Sequence, residues 1–347
     1  APDAEIIDAA GAFLAPAYVD LHCHGAGGSS AEDGPQGLST IMDVHRAHGT
    51  RALVLSYVSD TIEGLCRTLS IGARAARERP EVFGLHAEGP FLAPDFKGAH
   101  SAAALTTPTA EAVERILTAA DGALAQITLA PELPGALDAI ARFTSAGVKA
   151  AVGHTAASYD QTARAFDAGA SVLTHTFNGM PGVHHRSPGP IPAAIDASHV
   201  TLELINDGMH VEPAVARMIA KSAGGRVALI TDSMAATGMG DGDYALGELP
   251  VRVENAQARV LGADGQLGSI AGSTLTLDDA VADAVAQVGL SPLEAVQAAS
   301  LVPLRALGLV SPDEWMLLGV GMPADFLLLE EDMQLRRMWV GGQAVPR

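Results

Sequence analysis

Near its start the chain reads Val19-Asp20-Leu21-His22-Cys23-His24-Gly25. This stretch joins a short apolar run to two histidines and a glycine, which indicates a buried strand that ends in polar residues. Side chains two positions apart on a strand point to the same side, so His22 and His24 would face together while Cys23 points away. That side could hold a metal ion, although such a pair taken alone is equally typical of ordinary core or pocket histidines.

The same rhythm recurs along the chain, with short runs of Val, Ile and Leu followed by longer alanine-rich segments of helical spacing. Such alternation is typical of βα units, and eight parallel strands suit a closed (β/α)8 TIM barrel better than an open sheet. Helices are also predicted from about Thr274 to Val288 and from Ser291 onward. The eight predicted strands begin near Tyr18, Ala52, Val82, Ala125, Val148, Ser171, Thr201 and Val227.

The length of 347 residues exceeds the roughly 250 that such a barrel needs. We assign residues 17–318 to the barrel, with a β-hairpin inserted near 244–261. Residues 1–16 and 319–347 are predicted to form a small β-domain where both chain ends meet.

The composition restricts the class of partner. With 21 basic and 40 acidic residues the formal net charge is −19, which disfavours nucleic acid and anionic membrane surfaces. A small anionic substrate remains compatible with a locally positive pocket.

The apolar runs are too short for a membrane span and no secretion signal is recognisable, so we expect a cytoplasmic protein. Cys23 and Cys66 are expected to be reduced thiols, with a single disulfide as the alternative.

Four more predicted strands end in residues that can bind metal or move protons. The third ends in Glu88, the fifth in His154, the sixth in His175 and the eighth in Asp232. Each has a structural interpretation when taken singly, since Asp232, for example, could cap the next helix. Barrel active sites lie at the carboxyl ends of the strands, however, so these groups should converge on one rim. Their nitrogen and oxygen donors are those that Zn²⁺ and Fe²⁺ accept.

A series of motifs in one order and spacing resembles a known family over nearly the whole chain. The motifs are Asp20–Gly25, His86–Pro90, Leu129–Glu132, Gly153–Thr155, His175–Met180, Asp207–His210 and Thr231–Met234. With them, the chain is similar to the N-acetylglucosamine-6-phosphate deacetylases of the amidohydrolase superfamily.

The resemblance implies a metal centre and its acid/base. Glu88, His154 and His175 would bind the principal metal, with Asp232 beside the bound water as catalytic acid/base and further ligand. His22 and His24 resemble the ligands of a second metal, with Glu88 placed to bridge. We expect a divalent cation, Zn²⁺ with Fe²⁺ as the alternative, and one or two ions per subunit.

The resemblance also implies the residues that contact the substrate. His100 would orient the substrate carbonyl as a second catalytic residue. In the family, part of the phosphate site comes from the neighbouring subunit, which implies a homodimer. The residues implied in substrate binding are Ala99, His100, Asn178, Gly179, Arg186, His210, Ile270, Ala271 and Gly272.

The activity implied is hydrolysis of N-acetyl-D-glucosamine 6-phosphate to D-glucosamine 6-phosphate and acetate, in amino-sugar catabolism or cell-wall recycling. The alternatives are an N-acetylgalactosamine-6-phosphate deacetylase or another amide hydrolase of the superfamily. Cyclic-amide hydrolases often bridge two metals with a carboxylated lysine, but the lysine nearest to a predicted strand, Lys149, opens the fifth strand instead of ending it. A more remote alternative is a barrel that binds a sugar phosphate without catalysis.

Overall fold

The structure, a computed structural model, describes residues 6–314 and 317–346. Its strands are β1 Phe13–Pro16, β2 Tyr18–Cys23, β3 Gly25–Ala26, β4 Ser29–Ser30, β5 Thr50–Tyr57, β6 Val82–Glu88, β7 Leu124–Leu129, β8 Lys149–Val152, β9 Val172–Leu173, β10 Thr201–Ile205, β11 Val227–Ile230, β12 Gly242–Leu246, β13 Leu249–Glu254, β14 Gln257–Leu261, β15 Leu267–Ile270, β16 Phe326–Leu329, β17 Leu335–Val340 and β18 Gln343–Ala344. The α-helices are α1 Gly34–Ala47, α2 Ile62–Glu78, α3 Ala110–Ala120, α4 Ala136–Ser145, α5 Tyr159–Asp167, α6 Pro190–Asp196, α7 Pro213–Ser222, α8 Leu277–Asp283, α9 Pro292–Ala299 and α10 Leu301–Leu307.

Eight parallel strands form the centre of the fold. Their order is β2, β5, β6, β7, β8, β9, β10 and β11, and each strand pairs with its neighbours in the chain. The circle closes where the ends of β11 and β2 meet, because the Asp232 amide donates to the His22 carbonyl over 2.8 Å and the His24 amide donates to the Ser233 carbonyl over 2.9 Å. The predicted (β/α)8 barrel is confirmed, and every predicted strand start lies within two residues of an observed one.

The helices pack on the barrel because each has one apolar face. In α1 the residues Leu38, Ile41, Met42 and His45 recur at helical spacing and are all buried. The predicted last helices are also present. Ser291 caps α9 in a capping box with Glu294, as its sequence indicates, and α8 continues into a π-helical segment, Ala284–Val288.

The chain between β11 and α8 forms a separate antiparallel sheet. The predicted hairpin near 244–261 corresponds to β13 and β14 together with part of β12, and the observed sheet has four strands in the order β12-β13-β14-β15. Residues such as Val251 and Val253 are buried on one face of this sheet. The sheet stands at the carboxyl end of the barrel and therefore lies beside the predicted site.

A second antiparallel sheet joins the two ends of the described chain. Its order is β1-β16-β17-β18, so the strand before the barrel pairs with a strand after it. Three of its strands, β16, β17 and β18, lie within the region 319–347 that the sequence assigns to a small β-domain. Of the small β-domain assigned to 1–16 and 319–347, residues 1–5 and 347 lie outside the described residues.

Two simpler expectations concern membrane-spanning helices and the cysteines. Within residues 6–314 and 317–346, no helix has both the length and the apolar character needed to cross a membrane. Cys23 is buried, Cys66 is partly exposed, and both are free thiols.

Candidate functional site

Five of the barrel strands deliver histidines or carboxylates to one rim. His22 lies in β2 with His24 just beyond it, Glu88 ends β6, and the other three residues follow their strands by two positions. Those three, His154, His175 and Asp232, have positive φ angles of 46°, 25° and 50°. Non-glycine residues rarely adopt this left-handed conformation, which costs free energy and is concentrated at functional sites. The backbone thus turns sharply at each of these positions.

Glu88 is the centre of the first group of potential ligands. Its Oε1 lies 2.9 Å from Nε2 of His175 and 3.1 Å from Nε2 of His154, and these two nitrogens are 3.1 Å apart. All three side chains are buried. One carboxylate and two imidazoles therefore point at a common point, as a metal site requires.

The second group lies directly beside the first. It consists of His22, His24 and Asp232, with the two Nε2 atoms 3.1 Å apart and Oδ1 of Asp232 3.4 Å from each. Oε2 of Glu88 is 3.1 Å from Nε2 of His24, so Glu88 contacts both groups. Cys23 points the other way, toward His45 and Ser233, as the alternation of the strand predicts.

The electrostatics of the two groups fit a bound cation. Burial opposes a charge on His24, yet Asp232 and Glu88 raise its pKa to about 9. Burial likewise opposes ionisation of Asp232, but the charge of His22 and a hydrogen bond from His24 hold the pKa of Asp232 at about 2. The two carboxylates thus attract positive charge to this point.

The orientation of His154 supports the same interpretation. Its Nδ1 lies 2.8 Å from the carbonyl oxygen of Phe96, which can only accept, so Nδ1 carries a ring proton and Nε2 is the atom directed at the metal site. Gly98 and Gly179 border the ring on the cavity side. A Cβ atom at Gly179, where φ is +61°, would come within 2.8 Å of the ring, so glycine is needed at this position.

His100 lies next to the carboxylate of Glu88 and has a defined tautomer. Its Nδ1 accepts the backbone N–H of Ser59 at 3.2 Å, which leaves the proton on Nε2, 3.3 Å from Oε2 of Glu88. Burial is the main cause that lowers the pKa of His100 to about 4. His100 is therefore a neutral hydrogen-bond donor that points toward the cavity.

A cavity of about 290 Å³ opens over these groups. Its wall contains most of the residues expected to bind substrate, and Ala271 and Arg186 are the exceptions. Ala271 is fully buried in the apolar cluster of the inserted sheet, and Arg186 is exposed on the loop between β9 and α6. The cavity is lined by His24, Glu88, Gly98, Ala99, His100, His154, His175, Asn178, Gly179, His210, Asp232, Leu246, Ser269, Ile270 and Gly272.

Other residues of the site were not identified from the sequence. Leu246 and Ser269 belong to the inserted sheet, which forms one wall of the cavity, and only the presence of an insertion pointed to them. Asp207 binds Nδ1 of His210 at 2.7 Å and also accepts the backbone N–H groups of Met209 and His210. Burial opposes its ionisation, yet the hydrogen bond from His210 lowers the pKa of Asp207. The motif Asp207–His210 was noted, but the contact within it was not predicted.

Comparison with known proteins places this site in a family. The model of the amidohydrolase family matches residues 13–345, which include every candidate site residue. An N-acetylgalactosamine-6-phosphate deacetylase from Escherichia coli O157:H7 is 37% identical over 292 residues, covering 82% of this chain and 75% of that protein. An N-acetylglucosamine-6-phosphate deacetylase from Vibrio furnissii is 36% identical over 268 residues, covering 76% of this chain and 66% of that protein.

A solved structure extends the similarity to the whole fold. It is a mutant of N-acetyl-D-glucosamine-6-phosphate deacetylase from Mycobacterium smegmatis in complex with N-acetyl-D-glucosamine-6-phosphate. The two chains share 41% sequence identity and a TM-score of 0.90, with 97% of this chain and 87% of that chain covered.

Proposed function

The chain belongs to the amidohydrolase family, among the N-acetylglucosamine-6-phosphate deacetylases, and from this premise we propose that it hydrolyses N-acetyl-D-glucosamine 6-phosphate to D-glucosamine 6-phosphate and acetate. The observation that carries the proposal is the meeting of Glu88, His154 and His175 with Asp232 in one cavity. Metal-dependent hydrolysis of an amide needs this combination of ligands and a proton-transfer group.

The ligand chemistry supports a borderline divalent cation. Imidazole nitrogens and carboxylate oxygens suit Zn²⁺, with Fe²⁺ as the alternative. Glu88, His154 and His175 would hold the principal ion, and His22, His24 and Asp232 would hold a second one. When bound, such a cation supplies a Lewis acid that makes water nucleophilic near neutral pH.

Asp232 is the acid/base in this proposal. It is ionised at neutral pH, because the neighbouring histidines keep its pKa low, and so it can accept a proton from the attacking water. It then returns that proton to the departing nitrogen, which is a poor leaving group unless it is protonated.

His100 binds the other end of the amide. Its neutral ring presents Nε2–H toward the cavity and would donate to the oxygen of the acetyl carbonyl as negative charge develops there. A preorganised donor of this kind contributes roughly 3 kcal/mol to the transition state elsewhere. The low pKa of His100 keeps the ring neutral throughout the physiological pH range.

The sugar phosphate would bind at the outer part of the cavity. Asn178, Gly179 and His210 line it there, and Ile270–Gly272 forms the adjacent turn. Arg186 is exposed outside its own cavity, an arrangement that suits the expected homodimer in which each subunit completes its neighbour's phosphate site.

We also propose that the protein is cytoplasmic and that it divides into a barrel (17–318) and a small β-domain (1–16 and 319–347).

The epimeric substrate is the second candidate, because the Escherichia coli relative is named for N-acetylgalactosamine 6-phosphate. Both can be tested by acetate release from the two sugar phosphates and from unphosphorylated N-acetylglucosamine, using protein of known metal content. We expect turnover of N-acetylglucosamine 6-phosphate, and its loss when a chelator removes the metal. Faster turnover of the galactosamine epimer would reassign the substrate, while binding without acetate would indicate a barrel that has lost catalysis.

A further inference from the structure

One carboxylate lies beneath the metal groups and has no part in the proposed reaction. Glu203 is in the middle of β10, is fully buried and points into the barrel. Its Oε1 accepts the side-chain amide of Gln126 at 2.8 Å. Its Oε2 lies 3.3 Å from Nδ1 of His22 and 3.3 Å from the backbone nitrogen of His175. Each oxygen therefore has at least one donor.

We propose that Glu203 is a positioning residue, which fixes the His22 ring so that His22, together with His24 and Asp232, can take up a second divalent cation. The contact with Oε2 places the ring proton of His22 on Nδ1. Nε2 is then the ring atom left to bind a cation, and it faces Nε2 of His24 at 3.1 Å and Oδ1 of Asp232 at 3.4 Å. This inference rests on the proposed function only in assuming that the protein binds metal.

The cost of burying a carboxylate is part of the argument. A charge that is removed from water is expensive unless hydrogen bonds replace its hydration. A barrel interior filled with apolar side chains would avoid that cost, so the presence of Glu203 calls for a compensating role. Histidines that bind metal usually donate their other ring nitrogen to such an acceptor, which fixes the tautomer and raises the basicity of the ligand.

Gln126 makes the carboxylate rigid. Because its amide holds Oε1, rotation of the carboxylate is restrained and Oε2 stays directed at His22 and at the backbone of His175. Glu203 therefore contacts one member of each metal group. The structure thus links the orientation of the second group to the backbone that carries the first.

The test is the affinity of the two cation sites in Glu203→Gln, measured by titrating metal-free protein with Zn²⁺ against a chromophoric chelator. An amide has one acceptor oxygen, so it cannot serve Gln126 and His22 together as a carboxylate does. We expect the His22–His24–Asp232 site to lose affinity about 10–100-fold, as for other partners of ligating histidines, while the Glu88–His154–His175 site changes little.

A matched variant separates positioning from general loss of structure. Thr162→Val removes a buried hydroxyl that donates to the Ser158 carbonyl in α5, away from both metal groups. It should keep both sites at wild-type affinity. If Glu203→Gln does not fold, Gln126→Leu, which frees Oε1 of Glu203, should show a smaller loss at the same site.

Three results would overturn the proposal. They are a single Zn²⁺ site in the wild type, unchanged affinities in Glu203→Gln, and an equal loss of affinity at the His22–His24–Asp232 site in Thr162→Val. The activity assay addresses a different question: a wild type that binds two cations but releases no acetate would refute the proposed function and leave this inference standing.

Discussion

The carboxylate of Asp232 is held among histidines rather than arginines or lysines. Nε2 of His22 and Nε2 of His24 each lie 3.4 Å from its Oδ1, and the carboxylate is nearly buried. It is therefore ionised but still close to the rim of the cavity, where a water molecule and an amide nitrogen can reach it. This position suits proton transfer better than a role in folding.

We expect Asp232→Asn to lower kcat for acetate release by about 10²–10⁴-fold, the usual contribution of general acid–base catalysis. The amide cannot accept a proton, yet it keeps the size of the side chain, so the tighter metal site should remain filled. Acetate release and metal content are to be measured on the same sample. Asp243→Asn is the control, because Asp243 is exposed on the inserted sheet and pairs with Arg252. Loss of both metals in Asp232→Asn would identify Asp232 as mainly a ligand.

For single residues, the sequence predicts which side chains belong to the site but not which groups they contact. His22 and His24 could be assigned to one side of a strand because strand alternation is a local property. The left-handed backbone at His154, His175 and Asp232 depends on how each strand leaves the barrel, which no local pattern records. Glu203 and Gln126, far apart in the chain, meet only because β7 and β10 face each other across the barrel interior.

Among the elements, the loop after β8 is held in part by a glutamate from the loop after β7. Oε2 of Glu132 accepts the hydroxyl of Thr155 at 2.6 Å, and its Oε1 accepts the backbone N–H of Ala156 at 2.5 Å. These two bonds fix the segment directly after His154. The motif Leu129–Glu132 was recognised in the sequence without a role, and this contact supplies one.

Glu132→Gln should weaken the Glu88–His154–His175 site, because an amide cannot accept from both donors. The expected loss of Zn²⁺ affinity is about 10–100-fold, as found for other groups that support metal ligands. It is measured with the same chelator titration. Glu114→Gln, which alters an exposed pair with Arg142, should leave the affinity unchanged. Equal Zn²⁺ affinities of Glu132→Gln and Glu114→Gln would show that other contacts hold the loop.

Helix α1 places a buried histidine behind β2. Nε2 of His45 lies 3.1 Å from Oγ of Ser233 and 3.4 Å from Sγ of Cys23. Burial lowers the pKa of His45 from 6.5 to about 4. The unfolded chain therefore binds a proton at this residue between pH 6.5 and pH 4 while the folded chain does not, so this histidine costs stability as the pH falls through that window.

Replacing His45 with Gln should remove this part of the pH dependence. Between pH 7 and pH 5 the wild type should lose about 2 kcal/mol more unfolding free energy than His45→Gln. Urea unfolding at both pH values measures the difference. Equal losses in the two proteins would mean that His45 is protonated in the fold as readily as in the unfolded chain.

The regular elements follow from the sequence more reliably than the insertion does. Barrel strands such as β5 and β11 contain apolar runs, Ala52–Leu55 and Val227–Ile230, whose residues are all buried, and such runs are recognisable in isolation. The strands β12 and β15 have only scattered apolar residues and are stabilised by pairing with β13 and β14. Their existence depends on partners, which explains why a hairpin was predicted where four strands occur.

For the whole molecule, the main prediction concerns a phosphate-binding site to which two subunits contribute residues. Arg186 is exposed in its own chain and is absent from the wall of its own cavity. If it completes the phosphate site of a neighbouring subunit, Arg186→Gln should raise KM for the sugar phosphate by about tenfold or more, because a charged hydrogen bond to phosphate is lost.

Mixing two variants tests whether the arginine acts between subunits. Arg186→Gln keeps Asp232, while Asp232→Asn keeps Arg186, so a mixed dimer contains one cavity with both groups. Activity at low substrate concentration should rise after the two proteins exchange subunits. No rise despite exchange, or a monomer in sedimentation experiments, would assign Arg186 to its own chain or to no phosphate site.

The closing contact of the barrel has a consequence for assembly. His22 lies in the first strand of the barrel and His24 just beyond it, while Asp232 follows the last strand. This group of ligands therefore spans the seam at which β2 and β11 meet. A cation bound there would cross-link the first and last strands of the barrel. It would oppose opening of the barrel at this seam, because the chain would lose the conformational entropy that separation of the two strands provides. Without the cation the barrel should part first at this seam, and removal of the metal should lower the free energy of unfolding.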